Sequence, residues 1–149
     1  MSIIYVDADA CPVRDEAQKV ATRYGLKSIF VSNGGIRPSS DPMVEIVIVA
    51  SSADAADDWI EENIKEKDIV VTQDILLAAR CLEKGAFALG TTGKEFSQAN
   101  IGMALSMREL NQHLREIGAG GNFNAAFKRN DRSRFLQALD LLVTKSIKV

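Results

Sequence analysis

The chain has 149 residues with 18 basic and 20 acidic side chains, which gives a formal net charge of −2. This length predicts a single domain, residues 1–149, with a substantial hydrophobic core. The near balance of charge excludes a general electrostatic attraction to nucleic acid, so any such binding must depend on a local basic patch.

The cysteines and the chain's hydropathy predict where the protein works. Cys11 and Cys81 are far apart and form no metal-spaced pair. No N-terminal segment resembles a signal peptide, and no apolar run is long enough to span a bilayer. We therefore expect a cytoplasmic, bacterial-type protein with reduced thiols and no membrane association. The sequence leaves the oligomeric state open.

The first predicted element is a short buried strand that ends in two aspartates. Residues 3–6 form an apolar, β-prone run, and Asp7 and Asp9 follow it. Pro12 then begins a helical pattern, because proline suits the first helical position. One aspartate could cap this helix, but capping hardly accounts for both. Ligands bind at this edge of an open α/β sheet, so the pair suits a divalent cation.

Helix and strand patterns then alternate. The first helix ends at Gly25, a strand follows at 29–31, and a turn-rich exit contains Asn33. The prolines and serines of residues 36–42 predict a loop. The almost entirely β-branched run 44–50 predicts a central strand.

The second helix carries several acids. Ser51 and Asp54 match the S-x-x-D capping box. Helical spacing places Asp57 at the flank of the apolar face and turns Asp54 and Asp58 away from it. For Asp58 a solvated position is favoured, and capping explains Asp54 equally well as a site role.

The remaining elements complete an α/β pattern. A strand at 68–71, a helix from Thr72-Gln73-Asp74 to Gly85 and a strand at 86–89 come first. Two amphipathic helices then flank a glycine-containing loop at 118–124. The first has an apolar stripe that predicts core packing: Met103, Met107, Leu110, Leu114 and Ile117. The second begins at about Asp131 and is predicted to bury Phe135, Leu136, Leu139, Leu142 and Val143.

This alternation predicts a three-layer α/β fold. We expect a mostly parallel sheet of about five strands with helices on both faces and right-handed crossovers. The two C-terminal helices would complete one layer or cover the site. The carboxyl ends of strands one to four would then share one edge and bring together Asp7, Asp9, Asn33, the 51–54 turn and Thr72 to Asp74.

Such an edge predicts a metal site. Clustered carboxylates raise each other's pKa unless a cation offsets them. Oxygen ligands without histidine or thiolate partners suit Mg²⁺ or Mn²⁺, which can activate water against a phosphate. Asp74 has an alternative role, because an aspartate in the first turn of a helix stabilises the helix dipole. The adjacent carboxylates favour packing over nucleophilic chemistry for Cys11, and His113 is predicted to lie on the surface.

A basic stretch precedes the last helix. Four cations fall within residues 127–134, and Arg132, Ser133 and Arg134 could bind phosphate at a helix N-terminus. A solvated helix start is the alternative. Phe123 and Phe127 could stack on bases, but packing onto the core is favoured.

Four segments resemble the YaiI/YqxD family of uncharacterised bacterial proteins: residues 6–13, 54–60, 70–80 and 131–140. That family is in turn distantly similar to PIN-like and NYN nuclease domains. The resemblance implies a parallel α/β sheet and an acidic cluster that binds Mg²⁺ or Mn²⁺ for RNA cleavage. It maps the first acid onto Asp7, a later Thr-x-Asp onto Thr72 to Asp74, and a middle acid onto Asp54 or Asp57. The NYN-type asparagine after the first acid is absent.

Three functions remain open. The leading one is a metal-dependent ribonuclease-like hydrolase, with metal held by Asp7, Asp9 and Asp74, and with Asp54 or Asp57 completing the catalytic set. In this hypothesis Asn33, Thr72 and the basic stretch contact substrate. The second is a catalytically inactive module that binds RNA or protein. The third is a haloacid-dehalogenase-type phosphatase, suggested by the Asp-x-Asp after the first strand.

Overall fold

The computed structural model describes residues 2–9, 11–34, 39–52, 54–116 and 129–147. Six strands within them form one sheet, and five helices cover it. The elements, in chain order, are β1 (Ile3–Asp7), α1 (Arg14–Tyr24), β2 (Lys27–Ser32), β3 (Val44–Ile48), α2 (Ala55–Asn63), β4 (Ile69–Val71), α3 (Ile75–Glu83), β5 (Phe87–Leu89), β6 (Glu95–Phe96), α4 (Ile101–Glu116) and α5 (Arg129–Ile147).

The strand order β3-β2-β1-β4-β5-β6 creates a crevice between β1 and β4. The chain builds outward from β1 to β3 and then returns to the other side of β1, so the connections leave β1 and β4 in opposite directions. Open α/β sheets bind ligands at such a reversal point. Val6 pairs with Val71 in the parallel register, so Asp7 and Thr72 are neighbours at its carboxyl edge.

The two faces of the sheet bury separate cores. Ile4 and Val6 of β1 pack with α1 and α5, whereas Tyr5 packs with α2, α3 and α4. Side chains alternate between the faces along a strand. Asp7 therefore projects on the same face as Tyr5, toward α2 and α3.

The predicted fold class is confirmed. The sheet is mostly parallel with helices on both faces, and among the described strands only β5 and β6 pair antiparallel. The sixth strand, β6, escaped prediction because its two residues carry no readable pattern. α4 and α5 lie on opposite faces instead of completing one layer. In the part of the chain that the structure describes, no helix has both the length and the apolarity to cross a bilayer.

The prediction of a central third strand was wrong. β3 lies at the edge of the sheet, and Ile48 is 57% exposed. A β-branched composition indicates that a segment fits a pleated surface but not where the strand lies in the sheet.

Two helices begin at residues other than those predicted. α1 begins at Arg14 with Val13 as its N-cap, so Cys11 and Pro12 lie in the preceding turn. Asp54 and not Ser51 is the N-cap of α2, and it makes no side-chain capping hydrogen bond. The short polar residues before α2 (Ser51, Ser52 and Asp54) allow several registers of its first turn.

The predicted core stripe of α4 was wrong as well. Met103, Met107 and Leu110 are 75%, 50% and 47% exposed. α4 packs instead through the face that carries Ala104, which is buried in the core that includes α3. A small residue lets two helices approach closely, so a stripe of large residues need not face the core. Ile117 and residues 118–124 lie outside the described residues. In α5, Phe135, Leu139, Leu142 and Val143 are buried as predicted, and Leu136 is partly buried.

Candidate functional site

Three carboxyl groups meet at the crevice between β1 and β4. Asp7 ends β1, Asp57 lies in the first turn of α2, and Asp74 precedes α3. Asp57 is only 9% exposed and forms a hydrogen bond with Asp74, and its pKa responds to the charge of Asp7. We call Asp7, Asp57 and Asp74 the carboxylate cluster.

Thr72 connects two members of this cluster. Its hydroxyl donates to Oδ2 of Asp7 at 2.9 Å and accepts from the backbone N–H of Asp74, also at 2.9 Å. Thr72 is 1% exposed, so these two bonds fix it within the fold. Thr72, which the sequence predicted to contact substrate, therefore orients Asp7.

Asp74 serves as the N-cap of α3. Its Oδ1 accepts from the backbone N–H groups of Leu76 at 2.9 Å and Leu77 at 3.3 Å. The helix-start alternative for Asp74 is therefore correct, and the cap does not remove it from the cluster. Capping fixes the carboxylate at the helix N-terminus while it also bonds to Asp57.

The cluster changes how its members ionise. Burial, the hydrogen bond to Asp74 and the charges of Asp74 and Asp7 raise the pKa of Asp57 to about 7, and Arg80 only partly opposes this. Burial is also the main reason that the pKa of Asp7 is raised, with smaller contributions from Asp74 and Asp9 and an opposing hydrogen bond from Thr72. A hydrogen bond between two carboxyl groups needs one proton, and the raised pKa of Asp57 favours its retention on that residue.

Asp9 lies at the exposed rim of the crevice. Its Oδ1 accepts from the Ser32 hydroxyl at 2.8 Å, and its Oδ2 accepts from the backbone N–H of Asn33 at 3.0 Å. Asp9 therefore connects the segment after β1 to the end of β2, while its charge still reaches Asp7. Asn33, a predicted substrate contact, bonds to Asp9 through its backbone.

The structure separates the three aspartates of α2 and its start. Asp54 is exposed, and Asp58 is exposed and pairs with Arg80 at 2.9 Å. Only Asp57 of these three is buried in the cluster. The signal in the sequence was its position next to Ala56 and one turn before Ile60, which places it beside the apolar face of α2.

α5 packs on the opposite face of the sheet from α2 and α3, and its start contacts the turn before α1. Arg132 donates to the carbonyl of Pro12 at 2.7 Å and to Glu16 at 3.2 Å, so it connects α5 to the start of α1. Ser133 and Arg134 are exposed, and Arg134 lies 3.7 Å from Asp131. Lys128, Phe123 and Phe127 lie outside the described residues.

The donor set of the cluster suits a hard cation. Three carboxyl groups and one hydroxyl offer only oxygen ligands, as Mg²⁺ and Mn²⁺ prefer. Among the described residues, however, no three His, Cys, Asp or Glu side chains are already arranged to hold an ion. A proton retained on Asp57 would offset part of the negative charge that a cation would otherwise offset.

The other reactive side chains lie away from this chemistry. Cys11 and Cys81 are buried free thiols, and burial raises the pKa of Cys81 to about 12 and that of Cys11 above its ordinary value. Both are packing residues, as predicted. His113 is exposed on α4, as predicted.

Comparisons with known proteins identify close relatives whose names state no activity. Residues 5–145 match the model of a family described as "Uncharacterized BCR, YaiI/YqxD family". A UPF0178 protein of Mesorhizobium japonicum is 57% identical over 145 residues, which cover 97% of this chain and 94% of the relative. A UPF0178 protein of Agrobacterium fabrum is 58% identical over 137 residues, with coverages of 92% and 90%. No solved structure matches the chain significantly.

Proposed function

Since the chain belongs to the YaiI/YqxD family of uncharacterised bacterial proteins, whose description names no activity, we propose a function from the carboxylate cluster itself. The protein is a divalent-metal-dependent hydrolase that cleaves phosphodiester bonds in RNA. The cluster is its active site, at the carboxyl edge of the sheet between β1 and β4.

One observation carries this proposal: Asp57 is a buried carboxyl that faces two other carboxyl groups. Such an arrangement disfavours ionisation and destabilises the fold at neutral pH. Structural acids are ordinarily placed beside cations or in water, whereas strongly perturbed acids in a crevice are typical of functional sites.

The residues take distinct roles in this proposal. Asp7, Asp57 and Asp74 would hold Mg²⁺ or Mn²⁺, and Asp9 would add negative charge at the rim. A bound ion of this kind lowers the pKa of water and offsets the charge of a phosphodiester. In the absence of a cation the pKa of Asp57 is about 7, so binding of Mg²⁺ or Mn²⁺ near neutral pH would release its proton. Thr72 keeps Asp7 oriented throughout.

A second candidate is a module that binds RNA without cleaving it. It is favoured by one observation: among the described residues, the carboxyl groups do not already form a three-ligand metal set. The phosphatase hypothesis gains no comparable support, because both oxygens of Asp9 accept hydrogen bonds from the end of β2.

Cleavage of a labelled single-stranded RNA distinguishes these candidates. We expect the purified protein to cleave the RNA with Mn²⁺ or Mg²⁺ and to stop when EDTA removes the ion, since the cluster alone does not activate water. Gel analysis of the products measures this. Salt-dependent RNA binding without cleavage would favour the binding module, and neither activity would contradict both candidates.

A further inference from the structure

A second feature is a groove between α5 and the turn that joins β5 to β6. Its volume is about 860 Å³, within the range of small-ligand sites. Six of its lining residues are polar or charged: Gln73, Thr92, Lys94, Asp131, Arg134 and Gln137. We call it the hairpin groove.

The hairpin groove depends on a close backbone approach. At Gly93 a Cβ would lie 2.8 Å from the backbone carbon of Arg134 and 2.9 Å from its oxygen, so a larger residue would push the turn away from α5. Gly93 also has a φ of +90°, which side chains rarely adopt. This contact brings Lys94 and Arg134 to the walls of one groove.

The groove lies at the same edge of the sheet as the carboxylate cluster, because its turn follows β5, which is parallel to β4. Gln73 lines it and is the residue immediately before Asp74. The amide of Gln73 donates to the hydroxyl of Thr91. Thr91 is 1% exposed and lies in the turn between β5 and β6. Gln73 therefore connects the groove to the segment that carries Asp74.

The charge of the hairpin groove is opposite to that of the cluster. Lys94 and Arg134 are exposed cations, and Asp131 is the one acid among its described lining residues. The contact of Arg134 with Asp131 is loose, at 3.7 Å with the arginine side chain 69% exposed. Gln73, Thr92 and Gln137 add neutral hydrogen-bonding groups. Cations beside neutral donors are the chemistry that binds phosphate oxygens.

We propose that the hairpin groove binds the phosphodiester backbone of a single nucleic-acid strand and leads it to the carboxylate cluster. This inference rests on the proposed function and names the side from which the substrate strand enters. Lys94 and Arg134 are the cations that contact its phosphates, and Gly93 keeps both walls in place. The volume of the groove suits a short single-stranded segment.

Fluorescence anisotropy of a labelled ten-nucleotide single-stranded RNA in EDTA tests the groove independently of cleavage. We expect Lys94→Ala and Arg134→Ala each to weaken binding roughly 3- to 10-fold, and the double variant to lower the slope of log affinity against log salt by about 1.4. The matched control is Lys27→Ala at the other end of the sheet, where Lys27 pairs with Glu45, and it should bind as the wild type does.

The outcomes separate the two proposals. If the variants also lose affinity for single-stranded DNA of the same sequence, the groove recognises the phosphate backbone. If they lose affinity for RNA alone, the groove also contacts the ribose. Unchanged affinity and salt slope in the double variant would contradict strand binding by the groove, even if the wild type cleaves RNA. Loss of binding in a protein that never cleaves RNA would support the groove and contradict the proposed hydrolase.

Discussion

Asp57→Asn is expected to stabilise the protein at pH 8 and to abolish metal-dependent RNA cleavage. An asparagine amide can donate to Asp74 as the protonated Asp57 does, but it carries no charge at any pH. The variant therefore keeps the hydrogen bond within the cluster and removes a cation ligand. Residues that serve function at a cost in stability behave in this way.

The pH dependence follows from the raised pKa of Asp57, about 7 against an ordinary 3.8. Between these values the unfolded chain has lost its proton while the folded protein retains it. The stability of the wild type therefore falls as the pH rises from about 4 to about 7, and it is flat above that. Each pKa unit is worth about 1.4 kcal/mol, and screening by water at the rim lowers the sum. We expect the variant to gain about 2 kcal/mol at pH 8.

Urea unfolding at pH 5 and pH 8 measures this gain, and Asp58→Asn is the matched control. Asp58 is adjacent in α2 but exposed and paired with Arg80. The control should lack the stabilisation at pH 8 and should cleave RNA as the wild type does. If Asp57→Asn were less stable than wild type at pH 8, the raised pKa of Asp57 would be contradicted.

Asp7→Asn is expected to reduce Mn²⁺-dependent cleavage by at least about 100-fold while the fold remains intact. Removing even an outer partner of a metal ligand typically costs 10- to 100-fold, and Asp7 is placed as a ligand itself. The pKa of Asp7 is raised mainly by burial, so loss of its charge should not destabilise the protein. Thr72 can donate to the amide oxygen of the variant as it does to Oδ2 of Asp7.

Cleavage rates and thermal unfolding together measure the effect of Asp7→Asn, again beside Asp58→Asn. A variant that folds normally and cleaves at the wild-type rate would remove Asp7 from the active site. A lower Tm with an unchanged rate would assign Asp7 a purely structural role.

The sequence predicted Asp7 and Asp74 because both follow buried strands, and parallel strands bring such residues to one edge. It did not distinguish Asp54 from Asp57. That choice depends on where α2 begins, and the helix starts at Ala55 with Asp54 as an unbonded N-cap. If α2 began one turn earlier or later, a different acid would face β1.

Other errors have a common physical origin. The edge position of β3 and the exposed stripe of α4 depend on which elements are neighbours, and composition does not encode that. The order of the strands also places the crevice between β1 and β4, which the alternating pattern alone left open. Likewise, Gly93 and Lys94 gain significance only from the approach of their turn to α5.

The most direct test of the carboxylate cluster as a metal site is the anomalous scattering of Mn²⁺ in crystals soaked at pH 8. At that pH Asp57 has largely lost its proton, because its pKa is about 7. We predict an anomalous peak coordinated by oxygens of Asp7, Asp57 and Asp74. The absence of a peak there, with Asp57 still hydrogen-bonded to Asp74, would contradict the proposed active site.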